Sequence, residues 1–383
     1  MPDDYQHDPH DIVSSHNRHR RMFLKTSALA GALALNNGLA ASPEASERSG
    51  NSKLRIGALC VGDFSFWSYS WGDILSPRGV AVNREALGTG LLDMEITHVW
   101  DVDKAKAREF ADKVGAEPVD RYDGMVGKVD GVAFGGFYEV PWQHILARPY
   151  IEAGIPTYLS RPFAYSLRDI EDILDCAAKH GTPIMATDIY EHLYGVTTLK
   201  KRIRTIGEIQ CVHSTCLTHE YAALFHTPYM LQAIFGHDVG KVAVVTDDPN
   251  SSTYLMGTYL FNGDPEQKPF LCTSTMTPDG DLYSMDVTGS EGIESSRLPQ
   301  FAEWRDDLLV HHTPMLVAMQ KTFEGTMYEP LDNIRKKNEI FLTGFYSAVE
   351  RSGAPVDVGT VPPDWRAVPA RPDWIDPALL KRQ

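Results

Sequence analysis

Two things are scarce in this chain, and each scarcity removes a class of function. Basic residues are outnumbered, with 36 Lys and Arg against 51 Asp and Glu and a formal charge of −15 over 383 residues. Such a surface repels a phosphate backbone, which excludes nucleic acid as a partner. Cysteine is sparse: the five residues at 60, 176, 211, 216 and 272 include no C-x-x-C pair, so neither a disulfide framework nor a thiolate zinc site is indicated. No H-E-x-x-H spacing and no internal repeat occur. Against these absences stand 43% hydrophobic residues, 30 Gly and 24 Pro, the composition of a globular chain of one or two domains.

The first forty residues read as an address. His19-Arg20-Arg21-Met22-Phe23-Leu24-Lys25 precedes an apolar, small-residue run over 26–35, and Gly38-Leu39-Ala40 supplies a small-x-small cleavage pattern. Paired arginines in that setting predict a twin-arginine export signal over 1–40 and a periplasmic destination. The apolar run is shorter than the roughly 20 residues that span a bilayer, and no membrane span is expected in the mature chain. Removing the signal takes away four basic and four acidic residues, so the mature chain stays acidic. Residues 41–52 have no hydrophobic periodicity and read as a linker.

From Leu54 the pattern alternates strand and helix. Apolar runs over 54–61, 96–102 and 131–135 have strand length, and 104–114 has helical composition ending at Gly115. The clearest helix is 166–180. Ser166 caps it, Asp169 is placed to reach back to that cap, Leu167, Ile170, Leu174 and Ala178 recur on one face, and Gly181 ends it. A buried strand over 182–187 follows. The expectation over 53–188 is a Rossmann-like, doubly wound parallel sheet with helices on both faces. Beyond residue 190, segments 209–218, 241–245, 253–261 and 270–277 are rich in β-branched and aromatic residues and spaced by turn signals. They predict a C-terminal α/β domain over 189–360 with an open, mostly antiparallel sheet, suited to floor a binding site or to make a homo-oligomer contact. Helices are expected over 315–323 and 332–351, and a Pro- and Trp-rich tail over 361–383 is expected to wrap the surface.

One stretch resembles a known family. Tyr150-Ile151-Glu152-Ala153-Gly154-Ile155-Pro156-Thr157-Tyr158-Leu159-Ser160-Arg161-Pro162-Phe163-Ala164, with Ile206-Gly207-Glu208-Ile209, the segment 226–236 and 346–356, is similar to the Gfo/Idh/MocA family of glucose-fructose oxidoreductase and inositol dehydrogenase. The resemblance implies an N-terminal Rossmann domain, a C-terminal α/β domain with an open sheet, and hydride transfer between a sugar or polyol and NAD(P). It also implies a lysine in a Glu-Lys-Pro motif and an Asp/His pair. Here Glu-Lys-Pro is matched by Ser160-Arg161-Pro162. The family histidine is matched by His226, while its acidic companions fall on Ala222 and Tyr229. The phosphate turn G-x-G-x-x-G reads Cys60-Val61-Gly62-Asp63-Phe64-Ser65. Only the glycine that lets backbone approach a pyrophosphate is kept. Asp63 adds a carboxylate there, and two like charges at about 4 Å cost about 4 kcal/mol at an effective dielectric near 20.

These matches define the candidates. Arg161, His226 and Tyr229 are the catalytic set: arginine cannot cycle a proton but binds anions with paired hydrogen bonds, imidazole titrates near neutrality, and Tyr229 lies one helical turn from His226. Gly62, Asp101, His144 and Arg161 would hold a nicotinamide cofactor, Asp101 as the ribose-binding acid at a strand end. Asp188, Tyr190, His192 and His219 would line a pocket for a small-molecule or oligosaccharide substrate, and Asp188, His192 and His219 alternatively a divalent cation. The pairs His237-Asp238 and His311-His312 read as structural or solvated. Phe64, Phe66, Trp67, Tyr69 and Trp71 would either stack on a ring or fill the core. The leading expectation is an exported carbohydrate or polyol oxidoreductase. The alternatives are a non-redox lyase or hydrolase using His226 and Tyr229 on the same scaffold, and an inactive sugar-binding protein.

Overall fold

The computed structural model describes residues 53–367 apart from 64, 77–91, 137–141, 217–221, 247–254, 264–266, 277–282 and 299–303. The expected signal and linker, Phe64, His219 and the tail beyond 367 lie outside the described residues. Strands β1 (Leu54–Leu59), β2 (Met94–Trp100), β3 (Glu117–Pro118), β4 (Gly131–Phe134), β5 (Thr157–Ser160) and β6 (Ile184–Thr187) form one parallel sheet in the order β3-β2-β1-β4-β5-β6. Every residue of β4, β5 and β6 is buried, as a sheet covered on both faces requires. The order reverses between β1 and β4, which opens a crevice at the carboxyl ends of those strands.

Two of the covering helices begin at capping side chains, Asp103 and Ser166. A π-helical turn, Trp67–Trp71, runs into α1 (Gly72–Leu75). Asp103 starts α2 (Lys104–Val114) by accepting the amides of Ala105 and Lys106, and Gly115 ends it at φ +82°. α3 (Gln143–Glu152) follows β4. In α4 (Leu167–His180) the Ser166 hydroxyl accepts the Asp169 amide at 3.2 Å and Gly181 closes the helix at φ +63°. Two details differ from the expected pattern. The Asp169 carboxylate turns away from the cap to Arg366, 2.7 Å away, because a guanidinium is a stronger partner than a neutral amide. Ala177, not Ala178, joins Ile173 and Leu174 in the core.

The second sheet is built from β7 (Ile209–Cys216), β8 (Val239–Thr246), β9 (Leu255–Phe261), β10 (Phe270–Met276), β11 (Tyr283–Gly289), β12 (Ile293–Leu298) and β13 (Val356–Asp357), in the order β12-β11-β7-β10-β9-β8-β13. Its pairings are antiparallel except β7 with β10. The helices of this half are α5 (Ile189–His192), α6 (Tyr194–Arg202), α7 (Ala222–Phe235), α8 (Trp304–Phe323) and α9 (Leu331–Glu350). α9 packs on β8 and also touches α4 and α7, joining the two sheets' helix layers. The segment 362–367 then returns to the first half: the Ala367 amide donates to Tyr165 O at 2.9 Å and the Arg168 amide to Pro363 O at 3.1 Å.

Candidate active site

Two adjacent parallel strands deliver the central residues. β5 ends at Ser160 and β6 at Thr187, so Arg161 and Asp188 leave the sheet side by side at its carboxyl edge. The Arg161 Nε donates to Asp188 Oδ2 at 3.0 Å and its Nη1 to Ser160 Oγ at 3.1 Å. Phe66 lies with its ring centroid 4.6 Å from the guanidinium carbon, a cation–π contact. From α7, His226 brings its Nδ1 into a short hydrogen bond with the same Asp188 Oδ2, and the ring of Tyr190 meets the imidazole edge to face at 4.6 Å. Asp188 thus holds Arg161 and His226 together, and all three are buried.

The electrostatics fix the protonation states. Burial alone would raise the Asp188 carboxyl, but His226 and Arg161 outweigh it and hold it well below the usual carboxylate range. Burial lowers His226 more than Asp188 restores it. A carboxylate beside a permanent guanidinium and a desolvated imidazole is the arrangement in which His226 is neutral, donates from Nδ1, and carries its basic lone pair on Nε2.

A further layer lies behind this one. Asp188 caps α5: its Oδ1 accepts the Tyr190 amide at 3.0 Å, while its own amide donates to Glu191 Oε1 at 2.8 Å. The Thr187 hydroxyl donates to the same Glu191 oxygen at 2.7 Å, and His192 Nε2 lies 3.0 Å from that hydroxyl. Burial, with Lys337 adding to it, pushes His192 down to about 4. Lys337 of α9 sits 2.7 Å from Glu191 Oε2 and also pairs with Glu329. Burial, only partly offset by Lys337, raises Glu329 to about 7.

The structure gives Tyr229 a place in this rear layer. Its hydroxyl donates to Asn338 Oδ1 at 2.9 Å and Lys337 lies 5.7 Å from its ring. Burial pushes the phenol well above its ordinary value, and its proton is directed to Asn338. His144 is likewise elsewhere: it faces Asp169, 3.6 Å away, whose other oxygen holds Arg366. Its neighbour Gln143 is the residue that reaches the site strand, bonding both the amide and the carbonyl of Ser160. Among the described residues no group of three His, Cys, Asp or Glu could hold a metal ion. Asp188 Oδ2 already accepts from Arg161 and His226, and a guanidinium beside it repels a cation, so the metal alternative has no support here. His312, of the pair read as structural or solvated, is buried and its Nδ1 bonds Ser70 Oγ.

The phosphate turn keeps more of its shape than its letters suggest. Cys60 takes the place of the first glycine and still adopts φ +59°, a left-handed conformation that a residue with a β-carbon enters at a cost. A β-carbon built on Gly62 would meet nothing among the described residues closer than 3.7 Å, so the approach over that residue is clear. Asp63 points to solvent and pairs with Lys106 at 2.5 Å. In water-like surroundings its repulsion of a phosphate falls to about 1 kcal/mol. Asp101 stands at the end of β2, accepting the Gly62 amide at 2.9 Å and the Asp103 amide at 2.8 Å. The third glycine is Ser65, whose hydroxyl closes the turn on Gly62 O at 2.7 Å. The residues therefore fit a dinucleotide in shape. The amides of Gly62, Phe66 and Ser68 are bonded within the protein, which leaves fewer donors for the phosphates.

No family profile matches the chain, and no curated protein matches its sequence. Solved structures do. myo-Inositol dehydrogenase from Lactobacillus casei, in complex with NAD(H) and myo-inositol, superposes with a TM-score of 0.63 at 11% identity, covering 81% of this chain and 98% of that one. The chain has the Gfo/Idh/MocA fold. GenD2 from gentamicin A biosynthesis, in complex with NAD, gives 0.63 at 14% identity over 84% of this chain and 100% of its own. A probable dehydrogenase from Thermotoga maritima gives 0.61 at 15% over 80% and 99%. On this fold, Arg161 stands where the resemblance implies a lysine. Asp188, from a different strand end, places a carboxylate against His226, whose own helix carries Ala222 and Tyr229 at the positions matched to acids. Lys337, Glu191, Glu329 and Gln143 were not singled out from sequence. A signal for Glu191 was present, in the capping pattern Asp188-x-x-Glu191.

Proposed function

We propose that the chain is a nicotinamide-dependent oxidoreductase acting on a carbohydrate or polyol. The observation that carries this reading is the single carboxylate of Asp188 holding Arg161 and His226 at the carboxyl ends of β5 and β6. The Cys60–Ser65 turn and Asp101 would hold the cofactor, which when bound supplies the hydride acceptor for a carbinol carbon. His226 Nε2 takes the hydroxyl proton, and the imidazolium so formed is stabilised by Asp188. The fixed positive charge of Arg161 steadies the oxygen as that proton leaves. The bonded turn amides favour modest cofactor affinity, and they are the observation behind a second, non-redox reading.

The test combines native mass spectrometry for retained nucleotide, fluorescence titration with NADH and NADPH, and the near-ultraviolet signal of cofactor reduction across inositols and sugars. The expected outcome is saturable nucleotide binding and a rate lowered about 10²- to 10⁴-fold in His226→Ala. A preparation that binds neither nucleotide overturns the oxidoreductase reading, and turnover of uronic-acid glycans without nucleotide would put a lyase in its place. We also propose export of the folded chain by the twin-arginine route, supported by Arg20-Arg21 and the apolar run after them. Replacing both arginines by lysine should retain the protein inside the inner membrane on fractionation.

A further inference from the structure

Lys337 projects from the core-facing side of α9, between Ile334 and Phe341, and is 3% exposed. A lysine is rarely buried so completely, and an apolar residue of similar volume is often no less stabilising than a buried ion pair. Its two partners are not equivalent. Glu329 comes from the segment leading into α9, whereas Glu191 is the residue whose other oxygen accepts the Asp188 amide and the Thr187 hydroxyl. A continuous chain of contacts runs from Lys337 Nζ to Glu191 Oε2, from Glu191 Oε1 to the Asp188 amide, and from Asp188 Oδ2 to His226 Nδ1. We propose that Lys337 is the positioning residue of this site: through Glu191 it fixes the main chain of Asp188, and with it the carboxylate that orients His226.

The chemistry of the partners supports this division. Glu191 has to bond Asp188 and Thr187 with one oxygen and meet a cation with the other, which only an ionised carboxylate facing a charged donor does. Glu329, held only by Lys337 among these groups, takes the surplus negative charge of a cluster with three carboxylates (Asp188, Glu191, Glu329) and two permanent cations (Arg161, Lys337). The role assigned to Lys337 rests on His226 being the proton acceptor proposed above, but its test does not require turnover.

The experiment is proton NMR of full-length protein carrying ¹⁵N-labelled histidine, following the downfield Nδ1–H resonance that a short His226–Asp188 hydrogen bond produces and assigning it by its loss in His226→Gln. The variants are Lys337→Met, Lys337→Arg, Glu191→Gln and Glu329→Gln. The resonance is expected to vanish or exchange at least about tenfold faster in Lys337→Met and in Glu191→Gln, to return in Lys337→Arg, and to persist in Glu329→Gln. Should Lys337→Met fail to fold because two carboxylates lose their cation, the Lys337→Met/Glu329→Gln pair removes the surplus charge and answers the same question. An unchanged resonance in a folded Lys337→Met protein, single or paired, overturns the proposal. If the resonance depends on Lys337 while no substrate is turned over, the failure belongs to the assigned function and the positioning role stands.

Discussion

Asp188 accepts from Arg161, His226 and the Tyr190 amide with no solvent contact, so its removal leaves a guanidinium buried without its counter-charge. Breaking one partner of such a pair costs about 3–5 kcal/mol, and Asp188→Asn should lower the urea midpoint accordingly without altering the slope. Arg161→Lys keeps the charge but loses the two-pronged hold on Asp188 and Ser160. It should reduce the rate, measured as initial velocity at saturating cofactor. Arg161 and His226 were reached through the family resemblance, which matches one to the lysine of Glu-Lys-Pro and the other to the family histidine. Lys337 was not, since its meaning comes from α9 crossing to α5, a contact between residues far apart in sequence. Tyr229 shows the converse. Helical spacing placed it near His226, but spacing alone does not say that Asn338 would claim its hydroxyl.

At the scale of elements, helices with local end signals were readable to within a residue. α2 and α4 have Asp103 and Ser166 at one end and Gly115 and Gly181 at the other. Ser166→Ala should therefore cost about 1 kcal/mol, measurable as a shift in thermal midpoint. α8 begins at Trp304, well before the expected 315, because Pro314 lies inside it and a proline in a linear reading marks a boundary. The hairpin of β11 and β12 was missed for a different reason. Its sequences, YSMDVTG and IESSRL, hold few large apolar residues, and their strand character comes from pairing with β7 at one side of the sheet. The parallel strands β1, β2, β4 and β6 were plain as apolar runs, whereas β3 is two exposed residues, Glu117 and Pro118, and leaves no such run.

Across the whole molecule, buried and half-buried histidines set the response to acid. Burial lowers His226 and His144, and it takes His192 and His237 to about 4, all from an ordinary 6.5. Each binds its proton more readily when unfolded, so the stability they confer is present above about pH 6.5 and is lost as pH falls toward 4. Asp188, held low, adds a further loss below the ordinary carboxylate range. Glu329, raised by burial from 4.5 to about 7, acts in the opposite sense over that interval, as do Asp101 and Glu339, which burial also raises. Urea midpoints measured from pH 7.5 to 4 should fall, and His192→Gln should flatten the descent. The return of 362–367 onto α4 has a consequence for synthesis. Tyr165 and Asp169 receive Ala367 and Arg366, so these contacts close only once the segment 362–367 has been made. A nascent chain stalled at residue 361 should expose α4 to protease, and release of the full polypeptide should close that window.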